Sequence, residues 1–375
     1  MHLAALQLQD FRNYTALSVQ FSPGLNVLYG DNAQGKTNLL EAVAFLATGR
    51  SHRTSRDQEL IREGAQSLLA RAWVVRRTGE LQVEVTLGLH IRKRVKINGV
   101  AESRIARLVG NLAVVFFSPD DLQLIKGGPA LRRRFLDVEL SQISQAYLHY
   151  LMAYNRTLAQ RNILLKQEAP DPALLAVYDE QLASAGAQLV VRRAQAVQRL
   201  TELASRYHGM LSEGKESLSL TYQSEGLNPG GGLTWEEVAG RLHGLLQQRR
   251  KEELRRQVTL VGPHRDDVAF TINRRDARLY ASQGQQRTAV LALKLAELEY
   301  MKEEIGEYPV LLLDDVASEL DPHRRHYLLS AVDAGVQTLL SCTDLEDLTV
   351  RQWPRESRVF RVQAGTIQCD ARGLA

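Results

Sequence analysis

The first fifty residues change from a period of two to a period of three and four. Apolar and polar side chains alternate over residues 1–29, with Ser22-Pro23-Gly24 as a turn, and this pattern predicts two strands, the second at Leu25–Tyr29. After a glycine-containing loop, the apolar residues from Asn38 to Leu46 recur with helical spacing and end near Thr48-Gly49. The order is therefore strand, glycine loop, helix.

The next stretch predicts an antiparallel meander followed by a helical arm. Period-two alternation runs from residue 68 to 97, with Thr78-Gly79 and Asn98-Gly99 as hairpin turns. A short buried strand is expected at residues 112–117. From about residue 129 to 210 the spacing becomes helical, with a break at residues 169–172, which predicts a helical hairpin.

The remaining pattern returns to alternating helices and strands. A basic helix is expected at about residues 234–256, followed by an apolar strand before Gly262. Beyond it we predict a helix at 284–302, strands at 310–313 and 337–341, and between them a helix after Pro322. This rhythm indicates a parallel sheet, so the fold class is α/β, with one sheet made from both ends of the chain.

Composition narrows the class of protein only slightly. The 375 residues are 44% hydrophobic and 24% charged, as in an ordinary globular protein. No apolar run is longer than six residues, the length of Leu112–Phe117, and the N-terminus does not resemble a secretory signal, so we expect a cytoplasmic protein without a membrane partner. Cys342 and Cys369 lack metal-ligand spacing and are interpreted as ordinary thiols.

The net charge of +4 is small, but the basic residues are clustered. Runs occur at Arg92-Lys93-Arg94 with Lys96, at Arg132-Arg133-Arg134, and at Arg249-Arg250-Lys251 with Arg255-Arg256. Such runs are most often solvated faces. They are also the side chains with which a protein neutralises nucleic-acid phosphates, and nothing in them predicts recognition of base sequence.

The glycine loop after the first buried strand fits the phosphate-binding pattern G-x-x-x-x-G-K-S/T. Its backbone N–H groups and the following helix dipole suit the phosphates of ATP. Lys36 is expected to reach the β and γ phosphates, and the Thr37 hydroxyl to coordinate Mg²⁺. The residues assigned to the nucleotide here are Gly30, Asp31, Asn32, Ala33, Gln34, Gly35, Lys36, Thr37 and Asn38.

Two acids follow the apolar strand at residues 310–313. Asp314 suits the metal, directly or through water, and Asp315 suits the orientation of the attacking water. Without the phosphate loop these acids could equally be solvated or cap the next helix. Asp321-Pro322 has two possible interpretations, a helix cap or an intersubunit contact.

A third feature opens the long helix near residue 284. Ser282, Gln283, Gly284 and Gln285 stand at its N-terminus, a position that favours anions but by itself indicates only a capped helix. The three features in this order resemble the ATP-binding cassette (ABC) superfamily. In that superfamily the signature segment binds the γ phosphate held by the opposite subunit.

The resemblance then becomes specific to the RecF family. It is carried by Leu6–Tyr14, Gly30–Asn38, Phe117–Leu122, Gly262–Asp266, Ser282–Arg287 and Leu311–Asp321. It implies an ABC-type P-loop ATPase head like that of the SMC family, with an antiparallel β subdomain and a short inserted helical arm. We expect the head at residues 1–125 plus 285–375, and the arm with the signature, lobe II, at 126–284.

The family resemblance also implies the activity and its partners. ATP would join two heads into a homodimer on double-stranded and gapped DNA, and the protein would help RecO and RecR to place RecA. Arg12 and Asn13 would lie near the nucleotide, and Gln123 is the candidate for sensing the γ phosphate. Asp315 stands where a glutamate is usual and Thr343 where a switch histidine is common, so we expect a weak, DNA-stimulated ATPase.

Three other functions fit parts of the sequence. An ABC-type ATPase subunit of a membrane transporter would need a partner encoded elsewhere. A small-molecule kinase would also use a phosphate loop, but it would not dimerise around the nucleotide. A structural SMC-like tether would need far longer heptad repeats than this chain holds.

Overall fold

The computed structural model describes residues 1–227, 232, 234–316, 320–321, 324–325, 327–328, 335–345 and 357–370. It divides the chain into two compact units, the first formed by Met1–Asp121 with Leu291–Ala375 and the second by Leu122–Val290. In chain order the strands and helices are β1 (His2–Phe11), β2 (Tyr14–Gln20), β3 (Leu25–Tyr29), α1 (Lys36–Thr48), β4 (Ser67–Arg76), β5 (Gly79–Gly88), β6 (Arg94–Ile97), β7 (Val100–Glu102), β8 (Val114–Phe117), α2 (Gln123–Lys126), α3 (Pro129–Ile143), α4 (Gln145–Leu164), α5 (Pro172–Leu211), β9 (Leu218–Gln223), α6 (Trp235–Arg256), β10 (Asp267–Ile272), β11 (Arg275–Asp276), α7 (Ala277–Tyr280), α8 (Gln283–Ile305), β12 (Val310–Leu313), β13 (Thr338–Cys342), β14 (Arg358–Gln363) and β15 (Thr366–Asp370).

The first unit contains an antiparallel sheet of order β2-β1-β4-β5-β6-β7. The predicted meander is confirmed, including its turns before Gly79 and at Asn98-Gly99. The prediction of two strands within residues 1–29 was wrong, because three are present. The additional hairpin turns at Arg12-Asn13, where Arg12 has φ +51° without being a glycine.

The second sheet of this unit has the order β15-β14-β3-β13-β12-β8. Strands β14, β3, β13, β12 and β8 are parallel, and β15 is antiparallel to β14, so both ends of the chain form one sheet as expected. Gly30 follows β3 and Asp314 follows β12, and only β13 separates those two strands. The carboxyl ends of parallel strands lie at one edge, which brings the phosphate loop and the acids together.

The second unit is built mainly from helices. The predicted helical hairpin is present as α4 and α5, which pack together, but the helical region begins with a separate helix, α3. The break predicted at residues 169–172 is present between α4 and α5, and an additional break separates α3 from α4 at Ser144, whose hydroxyl accepts a hydrogen bond from the Tyr147 N–H at the start of α4. The basic helix is confirmed as α6, whose N-terminus carries a capping box between Thr234 and Glu237.

The apolar strand predicted before Gly262 was wrong, because residues 257–266 form no strand. Side chains satisfy the backbone there in place of a neighbouring strand. The Thr259 N–H donates to Asn162 Oδ1 at 2.8 Å, and the Leu260 N–H donates to Glu253 Oε1 at 2.7 Å. The apolar residues of this segment therefore reflect its burial and do not indicate that it pairs with a strand.

The helix predicted after Pro322 lies largely outside the described residues, as do Ser318 and Glu319. Asp321 is described, and its carboxylate accepts a hydrogen bond from the Arg324 N–H at 3.0 Å, which supports the helix-cap interpretation. None of the helices in the described part of the chain is long and apolar enough to cross a membrane.

Candidate functional site

The loop between β3 and α1 has the backbone that its glycines predict. Gly30 has φ +151°, and a Cβ atom there would lie 2.3 Å from the Val362 carbonyl oxygen. Gly35 has φ +122°, and its Cβ atom would lie 2.7 Å from Asn13 Nδ2. Gly30 disfavours any other residue by its conformation and by the backbone beside it, and Gly35 does so by its conformation. The motif glycines therefore set the path of the loop.

Lys36 starts α1 and folds back over the loop. Its side chain is 4% exposed, and its ammonium donates to the carbonyl oxygens of Gly30 at 2.5 Å and Asp31 at 3.0 Å. Asp31, Asn32 and Ala33 are exposed at the outer part of the loop. A buried ammonium beside the N-terminus of a 13-residue helix makes this loop a strong anion site.

The Thr37 hydroxyl joins the loop to the acid-bearing strand. It donates to Asp314 Oδ1 at 2.9 Å, and the Ser341 hydroxyl at the end of β13 donates to the same oxygen at 2.9 Å. Asp314 is 8% exposed, and burial raises its pKa, with the neighbouring Asp315 adding to the effect against the two hydrogen bonds that lower it. The predicted meeting of Thr37 and Asp314 is thus present.

These two groups fit a magnesium ion that also binds phosphate. A hydroxyl and a carboxylate are oxygen ligands of the kind that Mg²⁺ prefers, and it usually takes one or two carboxylates plus substrate phosphates. Among the residues that the structure describes, no group of three or more His, Cys, Asp or Glu side chains could hold a metal ion alone. The donor set therefore suits a metal bound together with a nucleotide.

Asp315 lies next to this pair in an unusual backbone conformation. Its φ is +51°, and its N–H donates to Ser341 Oγ at 2.9 Å. The Ser341 hydroxyl also lies 3.4 Å from the Asp315 carboxylate. A left-handed non-glycine residue costs energy and is found most often where the surrounding structure requires it. Thr343, two residues beyond Ser341, is exposed.

Arg12 and Asn13 lie against the phosphate loop and its helix, in the turn between β1 and β2. The Arg12 guanidinium binds the fully buried Glu41 carboxylate on α1 through two hydrogen bonds of 2.9 and 2.8 Å. Asn13 Nδ2 donates to the Gln34 carbonyl at 2.9 Å, and Asn13 Oδ1 accepts from Asn38 Nδ2 at 2.8 Å. Both side chains therefore brace the loop.

A second contact that supports the phosphate loop was not predicted from the sequence. The turn between β14 and β15 lies on the loop, where the Ala364 N–H donates to Gln34 Oε1 at 2.7 Å and the Gly365 N–H donates to the Gln34 carbonyl at 3.0 Å. Ser341 and Glu41 were missed as well. Glu41 alone gave a signal, since it is an acid within the apolar face of the predicted helix.

The expected signature residues and Gln123 lie in the second unit. Ser282 and Gln285 form a reciprocal cap at the start of α8, with hydrogen bonds of 3.2 and 2.8 Å between each side chain and the other's N–H. Ser282 and Gln283 are exposed, and Gly284 is half-buried. Gln123 is exposed at the first position of α2.

Several members of the basic runs have internal partners. Arg132 is 6% exposed and binds both oxygens of Asp267 at 2.7 and 2.8 Å. Arg250 pairs with the buried Asp179. Lys93 donates to the Gly49 carbonyl at 2.6 Å. These three side chains stabilise the fold.

The family model described as "RecF/RecN/SMC N terminal domain" matches residues 2–368. The chain is 69% identical over 375 residues to the DNA replication and repair protein RecF of Symbiobacterium thermophilum, with all of both chains covered. A solved structure of the recombination mediator protein RecF-ATP in the RecFOR pathway matches with a TM-score of 0.91 and 35% identity, over 99% of this chain and 98% of that one.

A Pyrococcus furiosus Smc head domain with an extended coiled coil, solved bound to the C-terminal domain of ScpA, gives a TM-score of 0.58 at 15% identity, over 100% of this chain and 96% of that one. That likeness concerns the fold alone, which is that of an SMC head domain. Taken with the family model and the relatives of the same length, it leaves one conclusion: the chain belongs to the RecF family of DNA replication and repair proteins.

Proposed function

We propose that this chain is a cytoplasmic, ATP-dependent clamp for gapped DNA in recombinational repair. Two copies close around two ATP molecules on double-stranded DNA near a gap, and the closed pair works with RecR and RecO to place RecA. The observation that carries the proposal is the Thr37–Asp314 contact, which joins a complete phosphate loop to a metal-suited acid. The solved RecF-ATP relative supports ATP as the nucleotide.

Each residue of the site has a role in ATP hydrolysis. The loop N–H groups and Lys36 bind the phosphates, while Thr37 and Asp314 would hold the magnesium ion. When bound, Mg²⁺ neutralises charge that develops on the phosphates. Asp315 orients a water for attack on the γ phosphorus, whose bond to the bridging oxygen breaks to give ADP and phosphate. Gln123 remains our candidate for sensing the γ phosphate.

We infer that hydrolysis is slow and stimulated by DNA. Asp315 has a shorter side chain than the glutamate usual at its position, and Ser341 lies within hydrogen-bonding distance of its carboxylate. Thr343 also lacks the ring nitrogens of a histidine. A turnover near 100 per second by the chain alone would contradict this inference, since ordinary enzymes work at roughly 1 to 10³ per second.

The clamp depends on the α8 helix tip of one copy completing the site of the other. The N-terminus of α8 is capped and favours anions, and it consists of Ser282, Gln283, Gly284 and Gln285. In the clamp it contacts the γ phosphate of the ATP that the other copy holds. Replacement of Ser282 by Arg would put bulk and positive charge at that contact. We expect this variant to bind ATP as a monomer and to form no pairs.

Mixing two inactive variants tests whether the site is shared. Lys36→Ala removes the phosphate cradle, and Ser282→Arg removes the helix tip. In a mixed pair one site keeps an intact Lys36 from one copy and an intact Ser282 from the other. Sedimentation with ATP and gapped duplex should show pairs in the mixture and monomers in each variant alone, whereas a mixture that stays monomeric would contradict the shared site.

Asp315→Asn provides the matched control for the chemical step. It keeps the size of the side chain and the backbone contact to Ser341 but removes the charge that orients water. This variant should pair on ATP as the wild type does and dissociate more slowly, because the ATP is not consumed. Unchanged turnover would remove Asp315 from the catalytic residues.

The transporter interpretation finds no support in the relatives, which are named as DNA replication and repair proteins.

A further inference from the structure

Three segments of the first unit, residues 49–57, 89–96 and 104–107, meet at the C-terminal end of α1. The Lys93 ammonium donates to the Gly49 carbonyl at 2.6 Å and pairs with Asp57 at 2.5 Å. It also lies 5.0 Å from the centre of the Phe45 ring. From the third segment, Ile105 Cγ2 lies 3.7 Å from the place of a Cβ atom at Gly49. Gly49 therefore anchors all three segments.

These segments concentrate positive charge. They carry nine Lys and Arg residues and a single acid, Asp57, which Lys93 neutralises. The net charge of the whole chain is only +4, so the clustering does not reflect a generally basic protein. All seven arginines of these segments are exposed, and within the described part of the chain six of them form no ion pair. We call this set the arginine surface: Arg50, Arg56, Arg92, Arg94, Arg104 and Arg107.

The arginine surface differs from an ordinary solvated face. Surface charges of both signs are usually interspersed, and like charges within the roughly 8 Å screening length repel one another. The neighbouring cations that do have partners, Arg53 with Glu41 and Lys96 with Glu84, use the nearby carboxylates. The remaining arginines form no ion pair within the described part of the chain. An external polyanion would supply it.

The surface is also mounted rigidly. Arg94 stands on β6, next to the buried Val95, which faces the core. Arg104 precedes and Arg107 ends a short 3₁₀ turn, Ile105–Arg107, whose Ile105 packs against Gly49. Guanidinium groups held on fixed elements lose little freedom on binding, and they match the geometry of phosphate oxygens better than an ammonium does.

We propose that the arginine surface binds the phosphate backbone of double-stranded DNA. Duplex DNA presents one phosphate charge about every 1.7 Å along its axis, a density that can engage several arginines together. The inference rests on the proposed function, because that function supplies DNA as the polyanion. It goes further by assigning the contact to three segments around Gly49 and not to the basic helix α6.

The test compares two variants that lose the same charge. The surface variant carries Arg→Gln at Arg92, Arg94, Arg104 and Arg107. The control variant carries Arg→Gln or Lys→Gln on α6 at Arg241, Lys251, Arg255 and Arg256. Binding of a fluorescent duplex is followed by anisotropy at several salt concentrations. Each lost phosphate contact should reduce the slope of log affinity against log salt by about 0.9, so the surface variant should lose about 2 to 4 units of slope and the control almost none.

Further measurements separate folding and function from the DNA contact. The four matching Arg→Lys substitutions should keep most of the slope, because charge is retained. ATP-dependent pairing should be unchanged in the surface variant, since none of the four residues contacts the phosphate loop. Equal losses in the surface and control variants, or no loss in the surface variant, would overturn the assignment. Failure of the wild-type chain to bind duplex DNA would instead contradict the proposed function.

Discussion

Asn13 offers a direct test of the idea that the β1–β2 turn orders the phosphate loop. Its amide group spans the loop, donating to the Gln34 carbonyl at 2.9 Å and accepting from Asn38 Nδ2 at 2.8 Å. Replacement by alanine removes both hydrogen bonds and leaves the strands of the turn in place. We expect Asn13→Ala to weaken ATP binding by disordering the loop before the nucleotide arrives.

The magnitude follows from the two hydrogen bonds. Each is neutral and partly buried, and such a bond contributes about 0.5 to 1.5 kcal/mol. If ATP binding must restore the order that both bonds supply, the loss is about 1 to 3 kcal/mol, or roughly 5- to 150-fold in the dissociation constant. Titration calorimetry with ATP and Mg²⁺ measures this directly.

A matched control separates loop order from general stability. Asn26 also makes buried hydrogen bonds in the first unit, to Ser22 and Gly24, but it lies at the opposite end of β3 from the loop. Asn26→Ala should lower the melting temperature while leaving ATP affinity close to that of the wild type. If the two variants weaken ATP binding equally, the effect belongs to stability and the bracing role is refuted.

The partner residue Asn38 gives a second check. Asn13→Ala and Asn38→Ala should not add in the double variant, because each alone already removes the bond between them. Full additivity would mean that the two amides act separately on the nucleotide. Wild-type affinity in Asn13→Ala would show that the loop holds its shape without this turn.

Three further changes test other parts of the structure. Arg12→Ala should lower the free energy of unfolding by about 3 kcal/mol in urea, because the buried Glu41 carboxylate loses two charge-assisted hydrogen bonds and retains Ser51 and the more distant Arg53 as partners. Burial raises the pKa of Glu41, but hydrogen bonds from Arg12 and Ser51 and the charges of Arg12 and Arg53 together leave the pKa below its ordinary value. The stabilisation is therefore present above about pH 4 and is lost at lower pH, and the variant should show a weaker loss. Burial raises the pKa of Asp266 to about 6, so the wild type should lose stability as pH rises from about 4 through 6, and Asp266→Asn should flatten that part of the melting profile. Arg161→Ala should lower the free energy of unfolding of the second unit by about 3 kcal/mol in the same urea assay, since two fully buried carboxylates, Asp179 and Glu253, lose the guanidinium that they share, and Arg161→Lys should recover part of the loss.

Local patterns were sufficient for the elements that contain the chemistry. The glycines of the loop, the helical spacing of α1 and the acids after β12 each depend on a few adjacent residues, and the structure places them as predicted. The β1–β2 hairpin was missed because its turn holds neither glycine nor proline, although Arg12 adopts a left-handed conformation. Asn13 is a residue type that favours turns, but a single asparagine is a weaker signal than a glycine or proline, so the hairpin was overlooked.

The strand wrongly predicted before Gly262 has a different cause. An apolar run indicates burial but not what satisfies its backbone, and here Asn162 and Glu253 provide hydrogen bonds from other parts of the chain. The bracing of the phosphate loop by the β14–β15 turn was hidden for the same reason. Gln34 and Ala364 are 330 residues apart, and neither has a pattern that points to the other.

The site itself depends on strand order, which no local pattern contains. Strand β13 lies between β3, which leads into the phosphate loop, and β12, which leads into the acids. Because these strands are parallel, the end of β13 must fill the gap between the loop and Asp314, and Ser341 is the residue at that place. A serine is small enough to fit there and polar enough to serve both acids, through Asp314 Oδ1 and the Asp315 N–H. A larger side chain at position 341 would separate the loop from the acids. The strand order that forms the site therefore also explains why a small residue with a hydroxyl group is needed there.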